Sequence, residues 1–382
     1  MSEPVQEYNG AIDRGLEGVV TCTTSISTIE GSTLLYRGFT IEDLAAHATF
    51  EEVVYLLWYG WLPTRRELEE FSTDLHHSMA LPPESFGWFH GLPTRVHPMD
   101  FLHAVIAGLT LHDPDANLVN AAATLRKSTR LAARVGTIVT AYQRVRSGQW
   151  PLQPLPDKSI AWNFLYMLKG EEPDATEVER FDTCLILHAD HELNASAFSA
   201  RVTSSTLSGL YSSVMAAIGT LKGPLHGGAN EQVIQMLLEI GSPAKLDAYL
   251  DEALAGKRKV MGFGHRVYKE GDPRAKVLKT MSQRLTRAAG CAHLFEMSAR
   301  LEERMANEKG LIPNVDFYSA TVYYAMKIPP DLFTPLFAAS RVAGWCAHVM
   351  EQYANNRIYR PRALYAGPTG LSWAPLAERK PA

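Results

Sequence analysis

Four short segments set histidine, arginine or a carboxylate beside residues that break helices. The first is His188-Ala-Asp190-His191-Glu192-Leu-Asn194. Its two histidines stand three apart and would share a helix face. With Glu192 they could bind a metal, but the order is not His-Glu-x-x-His and no further ligand is evident. A structural or substrate-binding role is the better reading. The second segment is Lys222-Gly-Pro-Leu-His226-Gly-Gly-Ala-Asn230-Glu231. Glycines on both sides let the backbone approach a ligand closely. Asn230 and Glu231 suit a helix start, so His226 lies just ahead of a helix N-terminus, which disfavours its charged form. A neutral imidazole can donate a hydrogen bond to a developing oxyanion. The competing reading is a loop histidine in a tight turn.

The third segment, Lys257 to Arg274, carries six Lys or Arg residues and His265 within eighteen positions of a chain whose net charge is −4. That composition suits an anion: arginine for carboxylates, lysine for phosphates. Gly262 and Gly264 inside the cluster argue against a merely solvated basic face, and no phosphate-loop motif is present. The fourth segment is Pro313-Asn314-Val-Asp316-Phe-Tyr-Ser319. Asp316 sits in an apolar setting where a helix could begin. Burial would raise its pKa and a helix N-terminus would lower it. An N-cap aspartate without chemistry competes with that reading. Arg341, Arg357, Arg360 and Arg362 add anion-binding candidates, Arg360 and Arg362 stiffened by the proline between them.

The elements that must position these groups are mostly helices. Val19 to Thr24 and Leu34 to Tyr36 flank a Glu30-Gly31-Ser32 turn and predict a small β hairpin. Thr40/Asp43, Thr49/Glu52 and Thr64/Glu67 are successive capping-box patterns, each opening an amphipathic run. Residues 99–147 and 176–219 read as further helices, the first broken at Asp113-Pro114-Asp115. Residues 148–157 hold three prolines and predict an ordered loop. The fold class is therefore mainly α with a minor N-terminal β hairpin. Glycine-bearing loops at 223–228, 262–264 and 271 suggest a second lobe, with a site where such loops meet. The length, 382 residues, allows such an organisation. The net charge argues against a general nucleic-acid binder. Cys22, Cys184, Cys291 and Cys346 are far apart and predict reduced thiols, neither a disulfide framework nor a zinc site. No secretory signal and no run of ~18 to 20 apolar residues is visible, so no membrane span is expected and a cytoplasmic location is.

Taken together, the motifs GPLHGGANE at 223–231, GFGHRVYKEGDPRA at 262–275 and PNVDFYSA at 313–320 resemble the citrate synthase family in order and spacing. HADHELNAS at 188–196 and RPRALY at 360–365 are similar to it as well, and the likeness runs from about Gly15 to about Pro368. The resemblance implies a large helical domain, 1–220 and 325–382, with a smaller helical domain inserted at 221–324. It implies His226, His265 and Asp316 as catalytic residues. His191, His265, Arg274, Arg341 and Arg360 become oxaloacetate ligands. Val260, Met261, Gly262, Phe263, Gly264 and Asn314 become the CoA-binding wall. It further implies a homodimer, with Arg360 reaching the partner's site. Neither a metal nor a redox cofactor is implied, and acetyl-CoA is a substrate. The chain starts close to the first family-like segment, so a simple dimer is expected over a hexamer.

The implied chemistry is an enolisation followed by a condensation. Asp316, at an ordinary carboxylate pKa of about 4, would be badly mismatched to a thioester methyl group, each unit costing about 1.36 kcal/mol. Hydrogen bonding of the enolate oxygen by His226 would offset that mismatch. His265 would polarise the oxaloacetate ketone, and the closed enzyme would hydrolyse citryl-CoA. The nearest rival is 2-methylcitrate synthase, which uses propionyl-CoA. The His265 to Lys269 run looks more like the citrate branch, although one methylene discriminates by only ~1–3 kcal/mol. A non-catalytic CoA or dicarboxylate sensor is a third reading, disfavoured because His226, His265 and Asp316 are all present. A metalloprotein built on His188 and His191 is a fourth.

Overall fold

A computed structural model describes residues 14–16, 18–89, 95–264, 268 and 271–379. Thr24–Arg357 forms one compact unit. The described residues of Met1–Thr23 and Ile358–Ala382 form a second, with two 3-10 turns, Arg14–Leu16 and Leu376–Glu378.

The main unit opens with β1 (Ser27–Glu30), β2 (Thr33–Tyr36) and β3 (Phe39–Thr40), an antiparallel sheet in that order. The hairpin thus exists, but its first strand is not the expected 19–24 run. A two-residue turn with Gly31 at φ +63° pairs Glu30 directly with Thr33. Strand pairing must start beside such a turn, and Val20 is instead exposed. Next come α1 (Ile41–His47), α2 (Phe50–Tyr59) and α3 (Arg65–His77). Thr40, Thr49 and Thr64 cap them, the latter two with complete capping boxes. Helix α2 buries Val53, Val54, Leu56 and Leu57 and stops at Gly60 in the left-handed conformation.

Helices α4 (Pro98–Leu109) and α5 (Ala121–Arg146) flank the expected break at 113–115. The proline-rich stretch has no helix or strand and is pinned by buried Asn163, which bonds Leu155 and Lys158 backbone atoms. Helices α6 (Ile160–Lys169), α7 (Ala175–His188), α8 (Ala195–Ser204) and α9 (Leu210–Leu221) follow. The 176–219 region is therefore helical with two breaks. The segment 221–324 contains α10 (Ala229–Ile240), α11 (Leu246–Ala255), α12 (Pro273–Ala288), α13 (Ala292–Lys309) and most of α14 (Val315–Ala325). Helix α15 (Phe333–Ala354) ends the unit. The protein is mainly α, as its sequence predicts.

Two helices act as hubs. Helix α15 packs against α2, α4, α5, α7, α8 and α9, and α14 against α10, α12 and α13. Helix α15 is buried at 18 of 22 positions and α14 at 10 of 11. Such helices are core on all sides, so a polar residue on either must find a partner or serve a ligand. Among the described residues, no helix is long and apolar enough to cross a membrane.

Candidate active site

The polar residues of both hub helices converge on the loops singled out by sequence. On α15, Arg341, Gly344, Trp345 and His348 follow the i, i+3, i+4, i+7 spacing of one helix face. All four grip the 188–196 turn. Arg341 Nε donates to the His188 carbonyl at 2.6 Å, and the Gly344 N–H donates to the Ala189 carbonyl at 3.1 Å. The Trp345 indole N–H donates to Ser196 Oγ at 3.0 Å, and His348 Nε2 lies 3.3 Å from Asp190 Oδ2. The opposite side of the turn is held by the hairpin. Cross-strand partners Ser27 and Tyr36 reach it together. Ser27 Oγ donates to Asp190 Oδ2 at 2.5 Å and accepts from the Glu192 N–H at 2.7 Å. Tyr36 Oη donates to the Asp190 carbonyl at 2.7 Å and accepts from its N–H at 3.0 Å. Glu192 can therefore hold a left-handed φ of +49°.

This geometry corrects the expectation for the two histidines. Helix α7 ends at His188, and His191 lies beyond it in the turn, so they do not share a helix face. His188 Nδ1 donates to the Cys184 carbonyl at 2.8 Å, and its ring stands edge-on to Phe337. Burial lowers its pKa to about 3, so it is neutral and its buried Nε2 is an acceptor with no hydrogen-bond partner among the described residues. His191 Nε2 pairs with Tyr268 Oη at 3.1 Å. Among the described residues, no group of three or more His, Cys, Asp or Glu could hold a metal ion.

His226 lies in the loop between α9 and α10, with Nε2 2.9 Å from Ser196 Oγ. Burial, and then the charge of Arg341, lower its pKa to about 4, which fulfils the expectation of a neutral ring. His265 lies outside the described residues.

Asp316 is the second residue of α14. The cap is Asn314, whose Oδ1 accepts from the Asp316 N–H at 3.1 Å, so the reading of Asp316 as an N-cap does not hold. The residue is 9% exposed, and its Oδ1 has no hydrogen-bond partner among the described residues. Burial raises its pKa from 3.8 to about 7, against the opposing charges of Arg274 and Arg341. Of the two influences anticipated from sequence, burial wins over the helix end. The mismatch with a carbon acid is about three units smaller than an ordinary carboxylate would face.

Arg274 and Arg341 are only 2% and 1% exposed. Arg274 is held by Asp272 through two side-chain bonds of 2.9 and 2.7 Å. Asp272 also caps α12 and accepts from the Val315 N–H at 3.1 Å, so one carboxylate orients the arginine and fixes the start of α14. Arg341 lies over the Phe337 ring, with no ion-pair partner among the described residues. Burial lowers its pKa to about 10. A buried cation without a counter-ion is costly unless a ligand supplies one.

The residues expected to line a CoA site form a second cluster. Phe263 bridges to Pro313, and the Gly264 N–H donates to the Ile312 carbonyl at 2.9 Å. The Asn314 N–H donates to the Gly262 carbonyl at 3.0 Å, and Asn314 Nδ2 to the Gly264 carbonyl at 3.2 Å. A Cβ on Gly262, at φ +83°, would lie 2.8 Å from Phe317 and Val233. Val260 is buried and Met261 partly so. The structure thus brings Gly262, Phe263, Gly264 and Asn314 to the start of the Asp316 helix. Arg360 lies in the terminal unit and is exposed. Sequence reasoning missed Asp272, Ser196, Trp345 and His348 as partners of the site. The Asp-Pro helix start at 272 and the polar stripe on apolar α15 were the available signals.

A family model described as "Citrate synthase, C-terminal domain" matches residues 15–362. The chain is 53% identical to "Citrate synthase 2" of Bacillus subtilis over 367 residues, covering 96% of this chain and 99% of that protein. It is 42% identical to a 2-methylcitrate synthase of Mycobacterium tuberculosis over 369 residues, covering 96% and 93%. A solved structure of citrate synthase from Thermoplasma acidophilum, in a ternary complex with carboxymethyl coenzyme A and oxaloacetate, superposes with a TM-score of 0.91. That protein is 34% identical, with 97% of this chain and 100% of that one covered.

Proposed function

This chain belongs to the citrate synthase family, and from that premise we propose that Asp316, His226 and His265 perform its chemistry. The reaction condenses acetyl-CoA with oxaloacetate and water to give citrate and CoA, an acyl transfer in which the acyl group becomes alkyl. The observation that carries the residue assignment is the buried carboxylate of Asp316, whose Oδ1 has no hydrogen-bond partner among the described residues and which feels the charges of Arg274 and Arg341. Asp316 removes a proton from the thioester methyl group, its raised pKa bringing it nearer to that weak acid. Neutral His226 donates to the thioester oxygen as charge develops there. His265 polarises the oxaloacetate ketone in this reading.

Arg341 supplies a carboxylate partner for oxaloacetate, since none of the described acids pairs with it. Arg274, pre-oriented by Asp272, supplies the second, with His191 and the Arg360 of a partner chain completing the set. The wall Val260–Gly264 with Asn314 receives CoA. In the same proposal residues 221–324 move as a small domain that closes over both substrates and excludes water. The enzyme works in the cytoplasm as a homodimer and needs no metal or redox cofactor.

Propionyl-CoA is the alternative substrate. The identities of 53% to a citrate synthase and 42% to a 2-methylcitrate synthase favour acetyl-CoA. The test is a side-by-side kcat/KM with both thioesters. Acetyl-CoA should win, and a preference for propionyl-CoA of about tenfold, worth roughly 1.4 kcal/mol, moves the chain to the 2-methylcitrate branch.

A further inference from the structure

Two opposite charges are buried beside the 188–196 turn without closing on each other. Arg341 donates to the His188 carbonyl and has no ion-pair partner among the described residues. Asp190, two positions further along the turn, is fully buried, and its Oδ1 has no hydrogen-bond partner among the described residues. Each lies in the other's field. After burial, which lowers the pKa of Arg341, the Asp190 charge is the largest influence on it and acts in the opposite direction. An unpaired buried charge is costly, so such a cation and anion tend to collapse into a salt bridge. Here the carboxylate is held elsewhere.

Two donors hold it. Ser27 Oγ accepts from the Glu192 N–H at 2.7 Å, which turns its own proton to Asp190 Oδ2 at 2.5 Å. His348 Nε2 lies 3.3 Å from both carboxylate oxygens and bonds Oδ2. The state of that ring is set from its other side. Arg201, on α8, is 2% exposed, and its Nε donates to His348 Nδ1 at 3.0 Å. Arginine has only donors, so Nδ1 must accept and the ring proton stands on Nε2, facing the carboxylate. A donor-only guanidinium on one side and an acceptor-only carboxylate on the other select the same tautomer. The guanidinium is itself anchored by Gln352 Oε1 at 3.2 Å and by Glu351. His348, Glu351 and Gln352 share one face of α15, at i, i+3 and i+4.

We propose that His348 is a positioning residue for oxaloacetate binding: its Nε2–H, fixed by Arg201, keeps the Asp190 carboxylate off Arg341, so that the arginine stays free for a carboxylate of the substrate. This rests on the reading of Arg341 as an oxaloacetate ligand, and the test separates the two. Without that N–H, Asp190 keeps Ser27 as its side-chain donor and turns its free Oδ1 to the guanidinium. The substrate must then displace an internal anion before it can bind. The loss falls on affinity and not on the chemical step.

The test is oxaloacetate calorimetry with steady-state kinetics on the full-length protein. His348→Leu should raise the oxaloacetate Kd about tenfold and leave kcat at saturating substrates within about threefold. His348→Gln should bind like the parent, since its amide N–H can face Asp190 while its oxygen accepts from Arg201. The double variant decides between competition and a merely structural defect. Adding Asp190→Asn to His348→Leu removes the competing anion and should bring Kd back to within about threefold of the parent, whereas two structural losses would add. A parental Kd in His348→Leu, or a double variant that binds no tighter than His348→Leu, overturns the proposal. If His348→Leu does not fold, nitrogen-15 NMR of labelled histidine in the parent decides. A proton on His348 Nε2 upholds the proposal, and a bare Nε2 rejects it. Arg341→Gln tests the premise. An unchanged Kd there removes Arg341 as a ligand, while a weakened Kd there with a parental Kd in His348→Leu removes the role of His348 alone.

Discussion

Asp316 shows how much one side chain's surroundings decide. A carboxylate on the first turn of a helix ordinarily gains from the positive end of the dipole, yet burial takes this one to about 7. Asp316→Asn keeps the shape and removes the base, so kcat should fall by about two to four orders of magnitude while oxaloacetate still binds. Steady-state kinetics and an oxaloacetate titration check both halves. The same shift predicts a stability effect. Between pH 3.8 and about 7 the folded chain holds this proton more tightly than the unfolded chain does. The contribution of Asp316 to stability is therefore greatest below pH 4 and declines as pH rises to 7. At pH 8 Asp316→Asn should be more stable than the parent, by up to about 4 kcal/mol at about 1.36 kcal/mol per unit. Denaturant unfolding at pH 4 and pH 8 measures this, and the gain should vanish toward pH 4. An equal stability at pH 8 would mean that Asp316 is not desolvated.

At the scale of elements, the site is a turn clamped between a hairpin and a helix. Ser27 and Tyr36 hold one side and the α15 stripe holds the other. Gly344 is the tightest point, where an added Cβ would lie 2.4 Å from the Ala189 carbonyl oxygen and from Asp190 Oδ1. Gly344→Ala should destabilise the fold by about 1–3 kcal/mol and weaken oxaloacetate binding by displacing His191. Unfolding midpoints and an oxaloacetate titration would show it, and unchanged values in both would remove the clamp from the account. The capping threonines at 40, 49 and 64 were readable because a cap is a contact over three residues. The first strand was misplaced because the Val19 to Thr24 run has β propensity but no partner beside the turn, and pairing decides. His191 was put on a helix because nothing at 189, neither Gly nor Pro, signals a stop. The stop comes from Tyr36, Ser27 and Gly344, all more than 150 residues distant in sequence. The site's own residues were legible as motifs. Asp272, Ser196 and Trp345 were not, since their roles exist only in contacts the fold creates.

At the scale of the whole molecule, the proposed homodimer makes each active site a joint product of two chains. Arg360→Ala and Asp316→Asn proteins should each be nearly inactive, the first losing a charge-assisted contact worth a few kcal/mol, roughly 1.5–3. Mixed under conditions that exchange subunits, they should regain activity toward half that of the parent per mixed dimer. One site then has an intact Asp316 and the partner's intact arginine. No recovery, with exchange demonstrated, would place Arg360 in its own chain's site. The α15 stripe also bears on where such a chain can change length. Its four residues, Arg341, Gly344, Trp345 and His348, are phased by the helix at about 100° per residue. One residue inserted among them would turn every later member away from its contact on the 188–196 turn. The loop at 148–157 carries no such phase and is held by Asn163 at Leu155 and by Arg144 at Trp150. Growth and loss of residues in descendants of this sequence are therefore channelled to that loop, and α15 keeps its count.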